Sequence, residues 1–186
     1  MNKPTLIIVA GRPASGKTTL AHVLSQKIKC PLLSRDELKE GYINTAGLQH
    51  NQLDEAVAFH IYTAFFEATR LLLGKNISLI IEAAFQHSLW EQQLSQLTDK
   101  ANIKVVICQV PLDLAKQRFE RRLSTDPGRE KFHGDNTLNT PGQQSRLLTD
   151  AYETLHIDVP TLVVDTSHDY KPGIKDILDF LLEKDG

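Results

Sequence analysis

The stretch Thr5-Leu6-Ile7-Ile8-Val9-Ala10, followed at once by Gly11-Arg12-Pro13-Ala14-Ser15-Gly16-Lys17-Thr18-Thr19, decides the fold. Its first six residues are apolar on both faces, as a strand in the middle of a parallel sheet must be. Gly11–Thr18 fits G-x-x-x-x-G-K-[ST] without a mismatch, a pattern that ordinary residue frequencies produce by chance in roughly one chain in 200 of this length. A helix is predicted to follow, from Lys17 to about Ile28, because Leu20, Ala21, Leu24 and Ile28 recur on one face. Strand, loop and helix in that order are what the mechanism of the motif needs. The glycines let the main chain wrap closely, so that successive N–H groups point inward, and the helix N-terminus adds partial positive charge. Lys17 is expected to reach the β- and γ-phosphates and Thr18 to ligate Mg²⁺. Gly11, Arg12, Pro13, Ala14, Ser15, Gly16, Lys17, Thr18 and Thr19 are therefore the expected nucleoside-triphosphate contacts.

Outward from this segment, strand-like and helix-like stretches alternate. Strands are predicted at Pro31–Ser34, Ile77–Glu82, Ile103–Val110 and Thr161–Asp165, which with Thr5–Ala10 makes five. Helices are predicted from Asn51 to about Gly74, where Leu53, Val57, Ile61, Phe65, Ala68 and Leu72 keep helical spacing, and at Leu89–Leu97, Leu112–Leu123, Gly142–His156 and Gly173–Glu183. Gly74 stands where a helix stop belongs. Ser124–Pro141 is polar and turn-rich, and reads as a lid. The alternation implies an α/β domain with a parallel sheet and helices on both faces. Residues 1–186 are expected to form that one domain, with a lid at about 118–141.

Composition narrows the class. The 186 residues carry 21 basic and 23 acidic side chains, and 41% of them are hydrophobic. That is ordinary globular composition, and its balance disfavours a surface devoted to a nucleic-acid backbone. No apolar stretch is expected to reach the ~20 residues needed to span a bilayer, no secretory leader is predicted, and the two cysteines, Cys30 and Cys108, do not make a disulfide scaffold. A cytoplasmic protein with two inert buried thiols is the expectation, with no membrane partner.

A phosphate-binding loop alone leaves several classes open. The Asn-Lys-x-Asp sequence by which GTPases read guanine does not occur, and the chain is short for a motor. A small kinase or a nucleotide-dependent regulatory module remains. Ser34-Arg35-Asp36-Glu37-Leu38-Lys39 follows the second strand, and residues at the carboxyl ends of parallel strands line the ligand crevice. Asp36 is thus expected to face the phosphates and accept the proton of an attacking hydroxyl. Ser34 also reads as a helix N-cap, with Asp36 and Glu37 as first-turn acids.

Gly11–Thr18 together with Arg35-Asp36-Glu37-Leu38-Lys39 resembles the P-loop kinases that phosphorylate a hydroxyl, such as polynucleotide 5′-kinase, chloramphenicol phosphotransferase and the zeta-toxin kinases. The resemblance implies a P-loop three-layer sandwich with strand order 2-3-1-4-5, Asp36 as general base, and Lys39 where polynucleotide kinase has a substrate-phosphate-binding arginine. Lys39 lacks that arginine's planar fork. In this strand order the third strand lies beside the first, so Glu82 at its tip is the expected Mg²⁺ partner, where the family would normally have Asp. Asp165-Thr166-Ser167 would border the adenine. Residues 116–131 hold six basic and three acidic side chains. Arg118 and Arg122, four apart on one helix face, are expected to meet the charge of the transferring phosphoryl, Arg122 from the lid and Arg118 at its hinge.

The reading is an ATP- and Mg²⁺-dependent kinase with a small-molecule or nucleotide alcohol as acceptor. A nucleic-acid 5′-hydroxyl end is the less favoured acceptor, and a regulatory module without transfer is the alternative class. His60 is expected to be a core or cleft residue, and Tyr42, Phe85, Gln86 and Trp90 to shape the acceptor pocket or simply to pack.

Overall fold

β1 (Thr5–Ala10) sends Leu6, Ile8 and Ala10 into one apolar cluster and Ile7 and Val9 into another. A strand buried on both faces needs a layer on each side, and the computed structural model, which describes residues 3–85, 87–134 and 155–183, has both. The other strands are β2 (Leu32–Ser34), β3 (Leu79–Glu82), β4 (Asn102–Gln109) and β5 (Thr161–Asp165). All five are parallel, in the order β2-β3-β1-β4-β5.

The helices are α1 (Lys17–Ile28), α2 (Arg35–Ala46), α3 (Glu55–Gly74), α4 (His87–Ser95), α5 (Leu112–Thr125), α6 (Glu130–His133) and α7 (Ile174–Leu182). One face of the sheet buries Phe65, Phe66 and Leu73 of α3 with Trp90 and Leu94 of α4. The other buries Leu20, Ala21 and Leu24 of α1 with Ile177 and Leu181 of α7. Each fully buried side chain of this size contributes roughly 1.5–3 kcal/mol, so these two clusters supply most of the driving force for the three-layer arrangement.

Two expectations change, and others fall outside the described residues. The predicted helix from Asn51 begins at Glu55 instead: His50–Gln52 form a 3-10 turn, and Asp54 caps α3 by accepting the Val57 N–H at 2.8 Å. The predicted lid is not irregular throughout, since Pro127–Arg129 make a 3-10 turn that leads directly into α6. The helix expected at Gly142–His156 lies mostly outside the described residues, and Leu155 and His156 are not helical. Residues 135–141 of the lid and Gln86 lie outside them too.

α3 is, by length and composition, apolar enough to cross a membrane, against the sequence expectation. Here it lies on the sheet through Ile61, Phe65, Phe66, Thr69 and Leu73. α7 is held by a buried lysine. Lys104, on β4 and only 3% exposed, donates to the Phe180 carbonyl at 2.9 Å and the Glu183 carbonyl at 2.6 Å. A cation on the last carbonyls satisfies acceptors that have no intrahelical partner and complements the helix dipole.

Candidate active site

The strand register assembles the site. Ser34 of β2 lies across from Glu82 of β3, and Glu82 lies across from Val9 of β1, so a single row leads along the carboxyl edge to the loop starting at Gly11. Glu82 is 1% exposed. Its Oε1 accepts from the Thr18 hydroxyl at 3.3 Å and lies 3.6 Å from the Lys17 ammonium, while its Oε2 accepts from the Ser34 hydroxyl at 2.7 Å. The structure thus brings Lys17, Thr18 and Glu82 together as the sequence led one to expect. Ser34 occupies the N-cap position of α2 but makes no side-chain cap there, because its hydroxyl is directed to Glu82.

The loop is wound tightly. Gly11 has φ 147° and Gly16 φ 83°, conformations that favour glycine. A Cβ on Gly11 would lie 2.6 Å from both the Cys108 carbonyl oxygen and the Ser15 hydroxyl. The Ser15 hydroxyl is buried and has no hydrogen-bond partner among the described residues. Thr166, just past β5, pins the loop, its hydroxyl lying 2.5 Å from the Ser15 carbonyl and 3.1 Å from the Gln109 carbonyl.

Two cavities open beside this loop. The first, about 510 Å³, is lined by Gly16, Thr19, Arg118, Thr166, His168 and Tyr170 among others. The second, about 470 Å³, is lined by Ser34, Asp36, Lys39, Trp90, Arg129 and His133 among others. Lys17, Thr18 and Arg122 line both, and Asp36 lines only the second. The two cavities therefore meet at a lysine, a hydroxyl and an arginine.

Asp36, in the first turn of α2, is half-exposed to solvent, and Arg35 Nη1 lies 3.3 Å from it. Burial against the cavity wall would raise its carboxyl, but Lys17, Lys39, Arg35 and His133 outweigh that and bring it down to about 2. Arg122 stacks its guanidinium 5.2 Å from the Phe119 ring.

Arg118 lines the first cavity and also binds its wall. Its Nη2 donates to the Thr166 carbonyl at 2.8 Å and the Ser167 carbonyl at 2.6 Å, so it holds the β5–α7 loop that walls the first cavity. Asp165 is not among the residues lining that cavity. Its Oδ1 accepts the Ser167 N–H at 2.7 Å, and hydrogen bonds from Ser167 hold its carboxyl below the usual range. Thr166, His168 and Tyr170 line the cavity instead.

Of the remaining candidates, Trp90 lines the second cavity and Phe85 is wholly buried in the core. Tyr42 and His60 meet edge to face at 5.9 Å in a neighbouring groove between α2 and α3, with His60 exposed rather than in the core. Cys108 is buried under Gly11, which pushes its thiol up to about 12; Cys30 is half-buried, with its thiol also raised by burial. Sequence reasoning missed Thr166 as the loop's pin, and gave no role to Arg35, Arg129 or His133. The basic run was its only signal for Arg129.

The donor set fits the groups the motif implies. A wrapped main chain with a buried, unbonded serine hydroxyl suits phosphate oxygens. One hydroxyl and one carboxylate suit Mg²⁺, which takes few protein ligands and completes its shell with phosphate and water. Among the described residues there is no cluster of three or more His, Cys, Asp or Glu that would hold another kind of metal.

A parallel sheet in this strand order, with Gly11–Thr18 between β1 and α1, defines the P-loop nucleotide-binding class. The chain belongs to the AAA domain family, whose model matches residues 6–134. It is similar in structure to a protein from Chloroflexus aurantiacus assigned as a kinase, with 26% identity over 90% of this chain and 88% of that one and a TM-score of 0.76. It shares its fold with the Mycobacterium tuberculosis APS kinase solved with AMPPNP and APS, at 18% identity over 97% and 98% of the two chains and a TM-score of 0.62. A gluconokinase from Sinorhizobium meliloti also has the fold, at 15% identity over 97% and 93% and a TM-score of 0.57. No curated protein matches the chain in sequence.

Proposed function

We propose that this chain is a kinase that transfers the γ-phosphoryl group of Mg·ATP to a hydroxyl of a small molecule or nucleotide. The observation that carries the reading is the meeting of two cavities at Lys17, Thr18 and Arg122, with a carboxylate, Asp36, in the chamber away from the nucleotide. The kinase assignment of the Chloroflexus protein supports it.

In this reading the main chain of Gly11–Thr18 and the Lys17 ammonium hold the polyphosphate, and Thr166 keeps the loop in shape for it. Thr18 and Glu82 would hold Mg²⁺, which when bound neutralises charge on the β- and γ-oxygens. The acceptor oxygen forms the new P–O bond as the bond from the γ-phosphorus to the β–γ bridging oxygen breaks. ADP leaves with that oxygen, and the hydroxyl proton passes to Asp36. Phosphoryl transfer has a loose transition state with little need for early deprotonation. A carboxyl held at about 2 is therefore suited to orient the hydroxyl and take its proton late. Arg122 faces the charge on the transferring group. Arg118, expected beside it in that task, is read as the anchor of the loop around the nucleotide.

The test is a screen for acceptor-dependent ADP release across nucleosides, sugars, sugar acids, sugar nucleotides, aminoglycosides and short 5′-hydroxyl oligonucleotides. Acceptor-stimulated release that Asp36→Asn abolishes is the expected result. ADP release that no acceptor stimulates would favour a regulatory module instead.

A further inference from the structure

Glu82 turns its two oxygens to opposite sides. Oε2 meets β2, accepting the Ser34 hydroxyl at 2.7 Å, whereas Oε1 meets α1, 3.3 Å from the Thr18 hydroxyl and 3.6 Å from the Lys17 ammonium. The Ser34 bond is short and charge-assisted, between two residues each 1% exposed. The contacts of Oε1 are longer and weaker, and Lys17 and Thr18 both line the two cavities. A bound nucleotide and its metal would draw on Lys17 and Thr18, so these are the partners that Glu82 loses. Ser34 stays. It lines the second cavity but not the first, and the parallel register of β2 on β3 sets it across from Glu82.

Ser34 also forgoes another use of its hydroxyl. It stands at the N-cap of α2, where a serine ordinarily accepts from an N–H two or three residues on, and its side chain makes no such bond. Bringing both oxygens of Glu82 round to Thr18 would break the Ser34 bond and strand a buried hydroxyl, which is strongly unfavourable. Glu82 is therefore arranged to present one oxygen on the Thr18 side and to keep the other turned away. That distinction matters to a divalent cation. Mg²⁺ is small, demands near-octahedral geometry and keeps several waters, so a single carboxylate oxygen suits it. Ca²⁺ is larger, takes more ligands and readily accepts both oxygens of one carboxylate.

We propose that Ser34 is a positioning residue that selects Mg²⁺ over Ca²⁺, by holding Oε2 of Glu82 so that only Oε1 is offered beside the nucleotide. This rests on the reading in which Thr18 and Glu82 hold the metal for phosphoryl transfer, and it adds the residue that decides which metal is taken.

The test is metal binding by the full chain with ADP held by an excess of protein, where no turnover occurs. Mn²⁺ is the paramagnetic probe, and its displacement by Mg²⁺ and by Ca²⁺, followed by electron paramagnetic resonance, gives the ratio of the two affinities. Ser34→Ala should move that ratio about tenfold toward Ca²⁺, the factor expected from one hydrogen bond to a charged group. Ser34→Cys, close in shape but only a weak donor, should move it the same way, and it serves where Ser34→Ala does not fold. Ser34→Thr, which keeps the hydroxyl, should stay within about threefold of the wild type. Affinity for ADP without metal, by calorimetry, should be unchanged, since Ser34 does not line the first cavity. A merely structural serine would lower Tm or weaken both cations equally and leave the ratio where it was. That result overturns the proposal, as does an equal shift in Ser34→Thr. A wild type that takes up no divalent cation with ADP overturns it together with the metal role of Glu82. Acceptor-stimulated ADP release from Mg·ATP, measured alongside, keeps the two claims apart. Release with an unmoved ratio leaves transfer standing and removes the role of Ser34. A moved ratio with no release from any acceptor supports the role of Ser34 and contradicts transfer.

Discussion

Asp36 and Glu82 are two carboxylates of one site with opposite surroundings. Asp36 is half-exposed among cations, and Glu82 is 1% exposed and held by Lys17, Thr18 and Ser34. Replacing Asp36 by Asn keeps the shape and removes the proposed proton acceptor. It should lower kcat by about 10²- to 10⁴-fold while the KM for ATP moves less than about threefold, as steady-state kinetics would show. Because the carboxyl lies near 2 rather than at its ordinary 3.8, it favours the folded state at pH values above its unfolded pKa. That contribution falls away as pH drops from about 4 through 2, so urea melts of wild type and Asp36→Asn should converge at low pH and diverge by pH 6. For the same reason, kcat/KM should have no acid limb from Asp36 between pH 5 and 7. A limb in that range that disappears in Asp36→Asn would contradict the assignment.

At the scale of elements, what was legible depended on whether the chemistry is contiguous. Gly11–Thr18 is read directly because the loop needs its residue types in one unbroken string. The meeting of Ser34, Glu82 and Thr18 depends on the parallel register of β2, β3 and β1, and only the implied strand order pointed to it. The carbonyl contacts of Arg118 are not legible in the sequence, because backbone carbonyls far along the chain leave no trace in side-chain patterning. The start of α3 was placed early because the apolar period runs back through Leu53, while the decisive signal was the cap at Asp54. Two substitutions test these element-level contacts. Arg118→Met removes both carbonyl contacts and should weaken Mg·ATP binding about tenfold with kcat at saturation nearly unchanged, measured by calorimetry beside turnover. Lys104→Met removes two charge-assisted bonds to the end of α7 and should cost about 2 kcal/mol. For a chain of this size that is a fall of roughly 4–8 °C in Tm without a change in ATP affinity.

For the whole molecule, the fold's contribution is to seat two chambers on one sheet edge with a shared wall of Lys17, Thr18 and Arg122. α6 docks on α2 beside the second cavity, the proposed acceptor chamber, through His133 to Glu40 at 2.8 Å and Lys131 to Asn44 at 3.1 Å. Docking of this kind excludes water from the transfer site. Glu40→Gln, outside the polyphosphate chamber, should therefore raise the ratio of ATP hydrolysed to acceptor phosphorylated about threefold or more, a ratio read by comparing phosphate and ADP release. All of this depends on the loop at Gly11 and the ammonium of Lys17 gripping a polyphosphate. Calorimetric titration of the wild type and Lys17→Met with Mg·ATP tests that most directly. The account predicts saturable one-site binding by the wild type, weakened roughly a hundredfold or more in the variant. No binding by the wild type, or equal binding by both, would contradict it.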